Sequence, residues 1–200
     1  MLGLGNTIVS GQGLGYTLVD TITSDFTSGS GSGGTGNVTD ANSNVWSNYI
    51  VTEGDLTKTL NATVDGSAGW LKCVYDTNQT SNSGIFSNLN DFVTKPGDYQ
   101  VISFKIYLDG NWDGTDSVST SVFISGAAVN VELSVEGSDA FPSNSFGVDQ
   151  DTVATVSGLF NVQTSNNTKI HIYFNSTQDR PQADAWFAIK DVEMKTYRRG

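Results

Sequence analysis

Cysteine is nearly absent from this chain of 200 residues: Cys73 stands alone, so no intrachain disulfide can form. It lies inside the apolar run "WLKCVY", where a lone thiol packs as a small buried hydrophobe beside Leu71 and Tyr75. Cations are scarce too. Ten Lys and Arg face 21 Asp and Glu, and the net charge of -11 repels polyanions, which argues against nucleic acid and anionic membranes as partners. No apolar run approaches the roughly 20 residues of a membrane helix, and the opening segment lacks the Lys or Arg of a secretory leader. The only histidine, His171, sits at a polar strand position between Lys169 and Tyr173, as an ordinary solvent-exposed side chain would. With no nucleophile–base constellation to assemble, the chain is expected not to be an enzyme, although a glycosidase carboxylate pair declares itself only by geometry.

What is present is alternation of period two. "QVISFKIYL" sets Ile102, Phe104, Ile106 and Leu108 against Val101, Ser103, Lys105 and Tyr107. "VNVELSV" does the same with Val129, Val131, Leu133 and Val135, and "KIHIYF" with Ile170, Ile172 and Phe174. "ATVSGLFNV" places Ala154, Val156, Phe160 and Val162 on one face. No stretch has a helical period, and turn pairs such as Pro96-Gly97 punctuate the runs. The expected fold is all-β, an antiparallel β-sandwich. In the last strand, "ADAWFAIKDVEMKTY", the parity of Phe187 and Ile189 flips to that of Val192 and Met194, which predicts a β-bulge at Lys190-Asp191.

Three zones divide the chain. Residues 1–19 mix glycine with Leu2, Leu4, Ile8, Val9, Leu14 and Tyr16, a composition suited to an anchoring arm that lies against a neighbour. Residues 20–37 hold a candidate strand, Asp20 to Phe26, and the Gly-Ser run "TSGSGSGGTG", expected as a flexible linker or a long loop. Residues 38–200 form the sandwich domain.

The succession "KPGDYQVISFKIYL", "VSGLFNV…KIHIYF" and "AWFAIKDVEMK" resembles the second half of the galactose-binding-like jelly roll found in many carbohydrate-binding modules, and "NVWSNYIVTEGDL" is similar to that family's opening strands. The resemblance covers roughly residues 44–195 and implies a jelly-roll topology. Members of the family often hold a structural calcium near the chain ends, where two aspartates stand; this chain has Lys190-Asp191 there, which puts that site in doubt.

The stretch "YLDGNWDGTDSV" raises a second metal question. Asp109, Asn111 and Asp113 alternate ahead of Gly114, with Asp116 as a further oxygen, the opening of a calcium-loop pattern. Thr120 stands where that pattern needs a bidentate glutamate, and strands flank the run, so a hairpin connection is the preferred alternative. Of the four tryptophans, Trp46 and Trp70 are assigned to the core. Trp112 and Trp186, with Asn111 and Asp184 nearby, are the surface candidates for contact with a glycan or a protein partner.

The leading functional expectation is a non-enzymatic virion structural protein of a tailed bacteriophage, a capsid decoration, head-fibre or tail-associated component. Its arm would grip other virion proteins, its sandwich would be displayed outward for weak binding of a cell-surface or environmental glycan, and a homo-oligomer is expected. The opening "MLGLGNTIV" is similar to the starts of small phage structural proteins. The alternative is a free-standing carbohydrate-binding module.

Overall fold

The computed structural model describes residues 15–49, 54–80, 83–87, 95–110, 112, 119–125, 131–135, 145–161, 170–174 and 181–200. Among these every regular element is a strand: β1 (Tyr16–Ser24), β2 (Gly29–Ser30), β3 (Val38–Asp40), β4 (Val45–Tyr49), β5 (Leu56–Val64), β6 (Ser67–Tyr75), β7 (Ser83–Ser87), β8 (Tyr99–Leu108), β9 (Ser119–Ser125), β10 (Val131–Val135), β11 (Ser145–Asp149), β12 (Val153–Asn161), β13 (Ile170–Phe174) and β14 (Trp186–Arg199). They form two antiparallel sheets. The first runs β10-β12-β8-β14-β6-β5, with β1 also paired to β14; the second runs β11-β9-β13-β7-β4-β3-β2. The protein is thus an antiparallel jelly-roll β-sandwich.

The alternation explains why the sheets stack. Along β8, Ile102, Phe104, Ile106 and Leu108 are buried while the residues between them are half-exposed. They meet Trp46, Ile85, Ile170, Ile172 and Phe174 of the second sheet in one continuous core, each large side chain contributing about 1.5–3 kcal/mol by leaving water. Cys73 is wholly buried, facing inward with Leu71 and Tyr75, and burial pushes its thiol up to about 12. The bulge falls where the parity flip places it. The β14–β8 register shifts between Lys190 and Glu193, and Asp191 takes a φ of 54° there, returning Val192 and Met194 to the core.

One segment departs from expectation, and another takes one of its two expected forms. Tyr16 is no part of a detached arm: β1 begins with it, in register with Arg199, and its ring meets Tyr99 edge-on at 4.9 Å. A strand partner outweighs the local glycine content. Val19 is an extra residue in that ladder, and it and Leu18 remain 45% and 47% exposed, so the first half of β1 lacks the alternation that resumes from Asp20 to Ser24. The other arm residues, Leu2, Leu4, Ile8, Val9 and Leu14, lie outside the described residues.

The Gly-Ser run is a fixed loop. Gly33 N–H donates to the Lys58 carbonyl (2.7 Å), Lys58 N–H to Gly34 (3.0 Å), and Leu60 N–H to Ser32 Oγ (3.0 Å), tying it to β5 of the first sheet, while β2 pairs with β3 of the second. Glycine is required at position 29, where φ is 146° and a Cβ would stand 2.0 Å from the Thr39 carbonyl oxygen. The segment therefore closes one edge of the sandwich.

Candidate functional site

The second sheet turns a row of rings outward. In β13 the sequence "IHIYF" sends Ile170, Ile172 and Phe174 into the core and leaves His171 and Tyr173 on the outer face. Pairing through β7 to β4 sets Tyr173 and Tyr49 on either side of Gly84, and His171 and Ser47 on either side of Phe86. Because Gly84 has no side chain, Tyr49 and Tyr173 approach to 5.2 Å between centroids; Tyr49 lies 4.4 Å from His171, and Phe86 5.7 Å from His171. A Cβ at Gly84 would fall 2.1 Å from the Ile172 carbonyl oxygen, so only glycine fits. All four rings are half-buried. Burial first, and then the neighbouring Tyr49, raise the Tyr173 hydroxyl above the ordinary tyrosine value. Half-exposed ring faces joined to hydroxyl and imidazole groups suit a ligand with an apolar face and a polar rim.

The first sheet also carries aromatic side chains outward, in a different condition. Trp186 stacks on Tyr107 of β8 (5.2 Å, 13°) and lies under the Lys72 ammonium of β6 (3.9 Å), so strands on both sides hold it. Trp70 is 1% exposed, and its indole N–H donates to Ser67 Oγ (2.9 Å). Val64, Trp70 and Ala188 are the buried members of a second apolar cluster, against which Ala62, Tyr107 and Trp186 pack. The Tyr107 hydroxyl donates to Asp151 (3.0 Å); burial, that bond and the charges of Asp151, Asp65 and Asp109 push it up to about 12.

Of the site residues expected from sequence, the structure describes Trp112, Trp186, Asp184, Asp109 and Tyr16. Trp112, expected at an exposed loop tip, is fully buried, its ring 4.2 Å from Phe174 and 5.8 Å from Tyr75. Its N–H donates to the Asp109 carbonyl (3.1 Å), a turn that folds the indole back as a plug in the core. Trp186 does lie on an outer face, half-buried as described. Asp184 is exposed in the turn entering β14, with a φ of 67°. Asp109 is half-buried and its N–H donates to the Trp186 carbonyl (3.0 Å), whereas Asn111, Asp113 and Asp116 lie outside the described residues. At the bulge, Lys190 donates to the Ala68 carbonyl (2.6 Å) and Asp191 pairs with Lys105 (2.8 Å). His171, expected in solvent, is packed between Tyr49 and Phe86. Tyr49 and Phe86 were not expected at a site at all; the signal was the aromatic residue at outward parity in "KIHIYF", a strand with rings on both faces.

This arrangement defines a class, a two-sheet jelly-roll sandwich with an aromatic outer face. No known protein family matches the sequence, and no characterised protein matches it in sequence. Among solved structures, it is similar to the N-terminal CBM22-1–CBM22-2 tandem domain of Paenibacillus barcinonensis Xyn10C, with a TM-score of 0.51 and 13% identity over 90% of this chain and 46% of that one. The CBM22-1–GH10 modules of Clostridium thermocellum xylanase 10B, complexed with xylohexaose, align at 0.48 and 15% identity over 92% and 28% of the two chains. A xylan-binding domain of family CBM22 aligns at 0.47 and 9% identity over 86% and 91%. The chain spans less than half the length of the first two. At 13% identity the likeness to the tandem domain establishes the fold, in agreement with the resemblance read from the sequence.

Proposed function

We propose that this domain binds neutral polysaccharide chains without catalysis, stacking sugar rings on Tyr49, Phe86, His171 and Tyr173. The observation that carries the reading is the row of four half-exposed rings across β4, β7 and β13, centred on a glycine that lets two of them meet. A pyranose offers an apolar C–H face to such rings and hydroxyls to the phenol and imidazole groups. The net charge of -11 disfavours acidic polysaccharides, which narrows the ligand to uncharged chains. The jelly-roll fold, shared with carbohydrate-binding modules, supports the reading without specifying a sugar. The virion reading has the arm of residues 1–19 as its carrier, of which 1–14 lie outside the described residues, and is not taken further.

Native electrophoresis through gels containing soluble xylan or mixed-linkage β-glucan tests the proposal. Retardation by at least one polymer is expected, lost in Tyr49→Ala/Tyr173→Ala and kept in Trp186→Ala. Retardation that survives the double substitution, or its absence in the unaltered protein with every neutral polymer, would overturn it.

A further inference from the structure

Lys58 is a core residue in all but chemistry. It alternates with Leu56 and Leu60 on the inner face of β5, opposite Cys73, with no exposed surface. A buried ammonium is ordinarily matched by a carboxylate. Here the side chain meets neutral oxygens: the carbonyls of Leu56 (3.2 Å) and Thr35 (3.3 Å), and the side-chain amide oxygen of Asn48. Asn48 reaches inward from β4 of the other sheet, and its own amide nitrogen donates to the same Thr35 carbonyl (3.5 Å). The buried amine of one sheet is therefore held against the half-buried carboxamide of the other. Burial lowers the lysine's pKa, outweighing the opposing influence of Cys73 and Asp55, and so favours the neutral, nucleophilic amine.

We propose that Lys58 and Asn48 join in an intramolecular isopeptide bond linking the two sheets. Lys58 Nζ attacks Asn48 Cγ, the Cγ–Nδ2 bond breaks, and the proton shed by Nζ leaves on the departing nitrogen as ammonia. Nothing is oxidised or reduced, and no co-reactant enters. Fixed placement of the two groups replaces a bimolecular encounter. The bond ties β5 to β4 at the edge that the Gly-Ser loop closes, in a chain whose lone cysteine leaves it no disulfide.

Mass spectrometry of the unfolded full chain decides the matter, on fresh protein and after incubation of the folded protein at mildly alkaline pH. The expected mass is lower than that of the sequence by one ammonia. Trypsin should then fail to cut after Lys58, its first site, and release a 1–72 peptide in which fragmentation places the link between Lys58 and Asn48. Lys58→Arg should restore the full mass. Full mass with cleavage after Lys58 in both samples overturns the proposal, and so does an ammonia loss that persists in Lys58→Arg, which would mark cyclisation of an asparagine elsewhere.

Discussion

The sandwich has two aromatic outer faces, and they differ in what their rings touch. On the first sheet, Trp186 is gripped by Tyr107 and Lys72, and the indole N–H of Trp70 is satisfied by Ser67 within its own hairpin. On the second, Tyr49, Phe86, His171 and Tyr173 contact one another around a glycine. Among the described residues, both lysine–ring contacts fall on the first face. The first is a satellite core. On the second face the rings are half-exposed and meet one another, so the count of aromatic residues does not mark a binding face; their burial and their ring partners do.

The largest effect should come from breaking the satellite core. Trp70→Ala is expected to cost about 3–5 kcal/mol in urea unfolding, with polysaccharide affinity unchanged in the molecules that remain folded. A loss below about 1 kcal/mol would mean that Trp70 is not structural and would erase the contrast. Gly84→Ala probes the other face. Its methyl must displace the Ile172 carbonyl, costing about 1–3 kcal/mol and spreading Tyr49 from Tyr173, so stability and gel retardation should fall together.

Acid should tell on the first sheet. Burial pulls the Asp98 carboxyl upward, but the two Arg198 bonds of 2.8 Å, the Lys95 N–H at 2.8 Å and the charges of both residues outweigh it and hold it below its ordinary value. A depressed carboxylate contributes stability that is present above its unfolded pKa, about 3.9, and is lost as pH falls through the lower folded value. Asp98→Asn should remove that slope at a cost of about 2 kcal/mol at neutral pH, measured by unfolding across the acid range. Tyr173→Ala should cost only about 1 kcal/mol of stability yet weaken polysaccharide binding about tenfold, the pattern of a residue whose ring serves a ligand. Lys72→Met comes last. It removes one cation–ring contact, for about 0.5–1 kcal/mol, with no change in binding.

Legibility in the sequence followed the range of the forces involved. The inward sets of β8 and β13, the buried Cys73, and the bulge at Lys190-Asp191 were readable because parity is local. Trp112 was not, since a tryptophan between loop residues has no parity and its burial depends on Phe174 and Tyr75 arriving from distant strands. The Gly-Ser run was legible only as one of two alternatives, linker or long loop, because the backbone bonds to Lys58 that decide between them are not recorded in composition. The ring cluster was half-legible: His171 and Tyr173 stand two apart in one strand, but Tyr49, Phe86 and Gly84 join them only through register across three strands.

One feature of β14 bears on how the domain would respond to force. Along one side it is held by β8 through most of its length, while on the other β6 takes Trp186–Ile189 and β1 takes Val192–Arg199. Gly200 N–H donates to the Gly15 carbonyl (2.9 Å), so the start of β1 and the end of β14 meet at one corner. A pull applied across that corner loads the β1–β14 ladder one rung at a time, from Tyr16–Arg199 towards Ser24–Val192, an unzipping geometry in which rungs part singly instead of sharing the load. Peeling should run until Thr23, whose carbonyl is held at 2.9 Å by the side-chain amides of both Asn42 and Asn44. Under tension the molecule would have a soft lip along β1 and a stiff body behind it.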